Sequence, residues 1–332
     1  MNSRNNLVVI LHNPITPNAR VDDADLLDEI AAVETALDTL GWSHERLVFD
    51  TDVVQVKREL ERLNPVVVFN LVESFEGKGS HQYLAPALLE HWRYRYTGGS
   101  AEALFITTDK LLTKDLLSLN AIPTPPYFAP KRYEALTPGI RYIVKAVDED
   151  ASLGLDANSI ITPLSTEDLL TLIAQKEREH GVRYFAEQFI EGREFNVTIL
   201  GKNGEPEILP LAEIRFINFD DARPKIVDYR AKWVEHSFEY QNTQRSFVFP
   251  PEDAPILARI AEIAARCWRG LRLTGYARID MRVDEKGSPW VLEVNANPCI
   301  TPYGGVAAAC AQASLSYSSF IERVLAEAIR ER

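Results

Sequence analysis

Apolar and polar positions follow two rhythms along this chain. Residues 7–11 (LVVIL) form an unbroken apolar run, and a loop with Pro14 and Pro17 follows. Residues 24–40 then set Leu27, Ile30, Val33 and Leu37 on one helical stripe, with Gly41 where a C-terminal stop belongs. A short strand at 47–49, a helix at 53–63 and a buried strand at 65–70 (PVVVFN) come next. The order β-α-β-α-β with continuous apolar strands predicts a small parallel α/β domain. No GxGxxG follows the first strand, so the pattern does not support a dinucleotide fold.

Past a polar loop (ESFEGKGS, 73–80) the rhythm predicts a helix at 81–91, and Tyr96-Thr97-Gly98-Gly99-Ser100 reads as a domain boundary. A helix at 109–120 is stopped by Pro123-Thr124-Pro125-Pro126. A strand at 141–147 runs into a polar loop at 148–154, and a helix at 167–180 and a strand at 184–189 complete a second unit. From residue 191 strands dominate, at 195–200, at 207–210 and in a hairpin within 275–302. Helices at 254–269 and 318–330 interrupt and close this part. The expected organisation is α/β, becoming α+β towards the C-terminus, in three domains: residues 1–98, 99–186 and 187–332.

Composition narrows the function. The 332 residues are 46% hydrophobic and 25% charged, as in ordinary globular proteins, and the length calls for more than one core. A net charge of −12 argues against nucleic acid or an anionic membrane as partner, while leaving room for a local basic pocket. Cys267, Cys299 and Cys310 have neither metal-ligand spacing nor the density of a disulfide scaffold. No apolar run approaches the roughly 20 residues of a membrane span. The apolar stretch of MNSRNNLVVILHNP is too short for a secretory signal, so a cytoplasmic location is expected.

The hairpin GYARIDMRVDEKGSPWVLEVNANPCITP sets Asp280, Glu293 and Asn295 among core residues. A symmetric turn about Glu285-Lys286 pairs 284 with 287, and so places Arg278 opposite Glu293, Asp280 opposite Val291 and Tyr276 opposite Asn295. In this register Arg278, Asp280, Glu293 and Asn295 share one face, and Ile279, Met281, Leu292 and Val294 fill the other. Asp280 and Glu293 become diagonal neighbours about 7–8 Å apart at the backbone, able to converge on hard cations such as Mg²⁺. An Arg278–Glu293 ion pair on a solvated face accounts for the same residues.

That hairpin resembles the metal-binding hairpin of ATP-grasp ligases, in particular the D-alanine–D-alanine ligases. Four more stretches resemble the same family, in its order: YTGGSAEAL, TTDKLLTKDLLSLNAIPTPPYF, AEQFIEGREFNVTIL and VDYRAKW. The resemblance covers nearly the whole chain and implies an ATP-grasp fold. It implies ATP, with two Mg²⁺ ions (or Mn²⁺ in their place) held by Asp280, Glu293 and Asn295. Lys110, Lys145 and Lys232 would meet phosphate oxygens, Glu187, Gln188, Phe189 and Ile190 would line the adenine, and Glu194 would accept from the ribose. Arg278 would stabilise the transferring phosphoryl group and the tetrahedral intermediate. Ser152 would be a catalytic donor in the loop over the phosphates, where Ala151 replaces the family's neighbouring serine.

The resemblance breaks at both amino-acid ends. Where the family carries a glycine-rich loop and a glutamate for the first ammonium, this chain has LHNPITPNARVDDADLLDEI. Asp22, Asp23 and Asp25 are candidate replacements, although acids also suit a helix N-terminus. Glu73, after a strand end, is the preferred candidate for the amine contact. At the other end, Cys299 would supply a backbone N–H and Asn297 a side-chain donor to an oxyanion hole, while Gly304 cannot supply a hydroxyl. The expected activity is ATP-dependent carboxylate–amine ligation through an acyl phosphate, on small-molecule substrates other than two D-alanines, in a homodimer. An ATP-grasp kinase and a non-catalytic nucleotide-binding module are the alternatives.

Overall fold

The computed structural model describes residues 6–15, 21–130, 136–149, 152–220 and 223–330. The first elements are β1 (Leu7–His12), α1 (Val21–Leu40), β2 (Ser43–Val48), α2 (Val53–Leu63) and β3 (Val67–Leu71). They build a parallel sheet in the order β2-β1-β3. Its centre is apolar because helices cover both faces: Val8, Val9, Ile10 and Leu11 are fully buried. As the edge strand, β2 tolerates polar residues, so SHERLV carries no strand-like pattern before Leu47. Asp52 caps α2 by accepting from Gln55 N–H, and Asn64 ends it in the left-handed region at φ 48°.

Next come α3 (Leu84–His91), α4 (Ala101–Thr108) and α5 (Lys110–Leu119). The helix expected at 81–91 is split, with a single 3₁₀ turn at Gly79–His81 before α3. Asp109 caps α5, accepting from the N–H groups of Leu111 and Leu112, and so fixes Lys110 at the helix's first position. A four-stranded antiparallel sheet follows, with β4 (Tyr127–Phe128), β5 (Tyr142–Ala146), β6 (Ile160–Ile161) and β7 (Tyr184–Gln188) in the order β4-β7-β5-β6. α6 (Thr166–His180) packs on it, opened by a Ser165/Asp168 capping box and closed by Gly181 at φ 72°.

The largest sheet runs β11-β10-β8-β12-β13, with β9 also paired to β8. Its strands are β8 (Arg193–Lys202), β9 (Glu205–Ile208), β10 (Ala212–Phe216), β11 (Thr243–Ser246), β12 (Tyr276–Val283) and β13 (Pro289–Ala296). Between β10 and β11 lie two short helices, α7 (Tyr229–Trp233) and α8 (Phe238–Asn242). α9 (Ala254–Gly270) covers one face, packing Ile260, Ile263, Ala264 and Cys267 against Phe195, Val197, Ile279 and Met281. α10 (Gly305–Gln312) and α11 (Tyr317–Ile329) end the chain.

One apolar cluster joins the two ends of the chain. Ile30, Val33 and Leu37 of α1 pack with Phe320, Val324 and Leu325 of α11, and with Tyr276 and Ile300. The linker at Gly98 meets the start of β12 at backbone contact: a Cβ at Gly275 would lie 2.5 Å from the Gly98 carbonyl oxygen. The first sheet is thereby seated against the strand that carries the polar face. Among the described residues, no helix is long and apolar enough to cross a membrane.

Candidate active site

β12 lies between β8 and β13, and its alternation sends Arg278, Asp280 and Arg282 to the face away from α9. The hairpin register differs from the symmetric expectation. Arg278 faces Asn295 and Asp280 faces Glu293, and the register shifts between Asp280 and Met281, which faces Val291. Leu292 is the extra residue of a β-bulge, which the symmetric turn could not anticipate. The correction moves the polar half of β13 by two residues, so Glu293 and Asn295 keep their face, while beyond the bulge the shift is one residue and turns Val291 into the core. It brings Asp280 and Glu293 directly opposite instead of diagonal. Leu292, expected in the core, is half-buried.

Arg278 does not pair chiefly with Glu293. Its Nε and Nη2 donate to the two oxygens of Asp280, each at 2.8 Å, while Glu293 Oε1 lies 3.9 Å from Nη2. Asn196 on β8 donates to Asp280 Oδ1 at 2.7 Å. Asn295 Nδ2 lies 3.4 Å from both carboxylates. Lys110 Nζ is 4.0 Å from Glu293 Oε2 and donates to the Glu149 carbonyl at 2.8 Å. Burial pushes Asp280 up to about 6, against the pull of Arg278 and with the Glu293 charge adding to the rise. Burial also opposes ionisation of Glu293, but Lys110, Lys232, Lys145 and Arg278 together hold it well below the usual carboxylate range.

This donor set fits a hard divalent cation. A buried and a half-buried carboxylate opposed across one strand pair repel, and an oxygen-preferring cation would relieve that repulsion. The Asn295 amide can rotate to present its oxygen. Among the described residues, no cluster of three or more His, Cys, Asp or Glu exists, so further ligands would come from water and nucleotide oxygens.

Behind this face lies a lysine network in which the sequence reading lacked one member. Glu187 of β7 is 1% exposed, and its two oxygens take Lys114 (2.5 Å) and Lys145. Lys114, 1% exposed, also donates to Thr124 Oγ1 at 2.9 Å. Glu187, expected at the adenine, is thus committed to two ammonium groups. Lys114 gave a sequence signal of one kind only, its spacing of four from Lys110 along α5. Beyond β7, the N–H groups of Gln188 and Phe189 donate to the carbonyls of Pro126 and Arg141. The ring of Phe189 lies against the guanidinium groups of Arg141 and Arg282. Arg282 is buried, donating to Glu194 at 3.1 Å and to the Ile190 carbonyl at 2.7 Å. Glu194 and Ile190 therefore share one organising residue, which the sequence reading did not single out.

The remaining candidates divide. Lys232 sits on α7, where Asp228 caps the helix by accepting from Ala231 N–H at 2.8 Å. Ser152, at φ 63°, donates to the Val227 carbonyl at 3.0 Å, while Ala151 lies outside the described residues. Glu73 stands at the C-terminal end of the parallel sheet, its N–H held by Asn13 Oδ1 at 2.8 Å. Asn297 turns away from an oxyanion role, its Nδ2 donating to the Asn70 carbonyl of β3 at 3.3 Å. Gly304 has no room for a side chain, because a Cβ there would lie 2.8 Å from Thr301 Oγ1. The side chains of Asp22 and Asp23 lie outside the described residues, and Asp25 accepts from the Tyr303 hydroxyl at 2.7 Å. Arg245 of β11 is solvent-accessible, yet burial of its surroundings lowers its pKa and Arg278 lowers it further.

Glu29 was missed altogether. It is 2% exposed on α1 and accepts the Ile300 N–H, tying α1 to the segment after β13. Burial pushes it up to about 7, against hydrogen bonds from Ile300 and the Cys299 thiol, with Asp25 adding to the rise. Burial, and then the charge of Glu29, raise the Cys299 thiol well out of the reactive range. Because the folded-state value is the higher one, Glu29 costs nothing below its unfolded value near 4.5, and its ionisation weakens the fold as pH rises towards 7. Glu29→Gln is expected to leave stability at pH 5 nearly unchanged and to raise it by about 2–3 kcal/mol at pH 8. Denaturant unfolding at both pH values checks this, and equal effects at the two would contradict it.

Comparison with known proteins agrees with this architecture. The family model described as "D-ala D-ala ligase C-terminus" matches residues 134–326. The D-alanine–D-alanine ligase of Moorella thermoacetica is 30% identical over 306 residues, covering 89% of this chain and 91% of that one. A protein of Sinorhizobium fredii, named "Uncharacterized protein y4sG", is 29% identical over 325 residues, 93% of this chain and 87% of its own. Among solved structures, the ATP complex of Bacillus anthracis D-alanine–D-alanine ligase superposes with a TM-score of 0.74 at 18% identity, covering 98% and 97% of the two chains. The VanG D-Ala:D-Ser ligase of Enterococcus faecalis gives a TM-score of 0.70 at 17% identity, covering 98% and 100%.

Proposed function

The chain belongs to the D-alanine–D-alanine ligase family and is an ATP-dependent, ADP-forming ligase with the ATP-grasp fold, and we propose that it joins a carboxylate to an amine through an acyl phosphate. The observation that carries the proposal is the single polar face on which Arg278, Asp280, Glu293 and Asn295 converge, with Lys110 4.0 Å from Glu293. A carboxylate resists attack because its leaving group would be oxide. Its oxygen must first take the γ-phosphoryl group of ATP, after which the amine nitrogen attacks the carbonyl carbon and phosphate departs.

In this reading residues 1–98, 99–186 and 187–332 are the three domains, and nucleotide lies between the second and third. Lys110, Lys145 and Lys232 hold phosphate oxygens, and residues 188–190 with Glu194 take the nucleoside. Asp280, Glu293 and Asn295 hold Mg²⁺, as two ions or with Mn²⁺ in their place; when bound, these offset the phosphate charge. Arg278, fixed by two bonds to Asp280, aims its remaining donors at the reacting carbonyl. Ser152 fixes the loop before Asp228 through Val227. Glu73 and the Cys299 backbone face the substrates.

The substrate pair is proposed to differ from two D-alanines. Gly304 supplies no hydroxyl, and Asn297 is committed to Asn70. The test is ADP release over a matrix of carboxylates and amines, with mass analysis of the products. An amide with ADP supports the proposal. A stable phosphorylated product would instead make the chain a kinase, and ADP release confined to D-alanine would overturn the substrate assignment.

A further inference from the structure

We infer that the amine substrate carries an acidic group of its own, bound by Arg245. This rests on the ligase reading above, which sets the reacting carbonyl beside Arg278. Register places Arg245 on the active face. It pairs with Ile214 on β10, Ile214 with Glu194 on β8, and Glu194 with Arg282 on β12. Directly opposed residues in an antiparallel sheet share a face, so Arg245 projects to the same face as Glu194 and Arg282, and as Arg278 four residues further along β12.

The other two arginines of this face have carboxylate partners: Arg278 has Asp280 and Arg282 has Glu194. Arg245 has none among the described residues. The charge that acts on it is that of another cation, Arg278. Its guanidinium lies beside the backbone that opens α10: a Cβ at Gly305 would stand 3.5 Å from Nη2. The guanidinium is thus set directly against the segment that follows β13.

Arg245 is thus a cation without a carboxylate partner, while the charge of Arg278 is met by Asp280. The phosphate end is served by three lysines clustered around Glu293. Arg245 is left for the other ligand. A guanidinium presents a planar fork that matches a carboxylate, and a site built for that contact rejects an uncharged isostere. The chemical class is therefore an amine bearing a side-chain or distal carboxylate, such as an amino dicarboxylate.

The experiment compares acid and amide isosteres as the amine: aspartate with asparagine, and glutamate with glutamine, each as both enantiomers. Wild-type kcat/KM is expected to favour the acid by about 10-fold or more. Arg245→Ala is expected to bring that ratio to within about twofold of unity, through KM for the acid, and Arg245→Glu to invert it. The KM for ATP is expected to move little in both. Equal rates with acid and amide in the wild type would overturn the inference, and so would a rise confined to the KM for ATP. Titration of glutamate and glutamine into protein holding ADP and Mg²⁺ separates this from the ligase reading. Tighter, Arg245-dependent binding of glutamate upholds the acidic ligand even without ADP release, and equal binding of the two rejects it.

Discussion

Glu293→Gln is expected to lower ADP-forming turnover by about 10³-fold or more, about 4 kcal/mol of transition-state stabilisation. The substitution keeps the shape of the side chain and removes one negative charge. That charge sits on the strand position opposite Asp280 and among Lys110, Lys232, Lys145 and Arg278. Without it the lysines face one another with less to balance them, and the proposed cation site keeps one carboxylate and two amides. Stability should fall much less, by about 1–2 kcal/mol, since Asp280, Asn196 and Arg278 still bond to each other. The loss should appear in kcat, and a higher Mg²⁺ concentration should recover part of it. Wild-type ADP release by this variant would remove the metal role from the hairpin.

How much of this could be read from sequence depended on what kind of signal each feature leaves. β1, β3, α1 and α9 were legible because burial imposes a period, and the period is written in Val, Ile and Leu. β11 (TQRS) was not, since an edge strand of polar residues has no alternation to show, and β10 (AEIRF), an inner strand, alternates over only five residues. α10 (GVAAACAQ) is built from small residues and reads as neither helix nor strand. The shared face of Arg278, Asp280, Glu293 and Asn295 survived a wrong register because the error was an even number of residues. Its consequence, direct opposition of the two acids, required the bulge at Leu292, which nothing local announces. Pairings between distant elements left no trace either. Glu29 with Ile300, Arg282 with Glu194 and Asn297 with Asn70 each join segments whose proximity only the fold supplies. For that reason candidate residues could be named by family resemblance, while their partners had to be read from contacts.

The largest effect on stability is expected at a residue that sequence reading assigned to ligand binding. Glu187→Ala should destabilise the protein by about 3–5 kcal/mol, because it leaves the buried Lys114 with a single hydroxyl partner, Thr124. Burial already lowers the pKa of Lys114, and the Glu187 charge is the main influence that opposes this. Without Glu187 the lysine is expected to lose its proton, and that escape caps the cost. A lysine whose folded-state pKa is lowered penalises the fold at pH values below its unfolded value, and the penalty vanishes once both states are neutral. The deficit of the variant should accordingly shrink as pH rises from 7 towards 10. Adding Lys114→Met should recover most of it at pH 7, since an apolar side chain of similar length needs no counter-charge. Denaturant midpoints of the single and double variants at both pH values test this. A loss below about 1 kcal/mol in Glu187→Ala, or a deficit that grows with pH, would show that Lys114 and Glu187 do not sustain each other. Glu187 would then be free for the adenine, as the family resemblance implies.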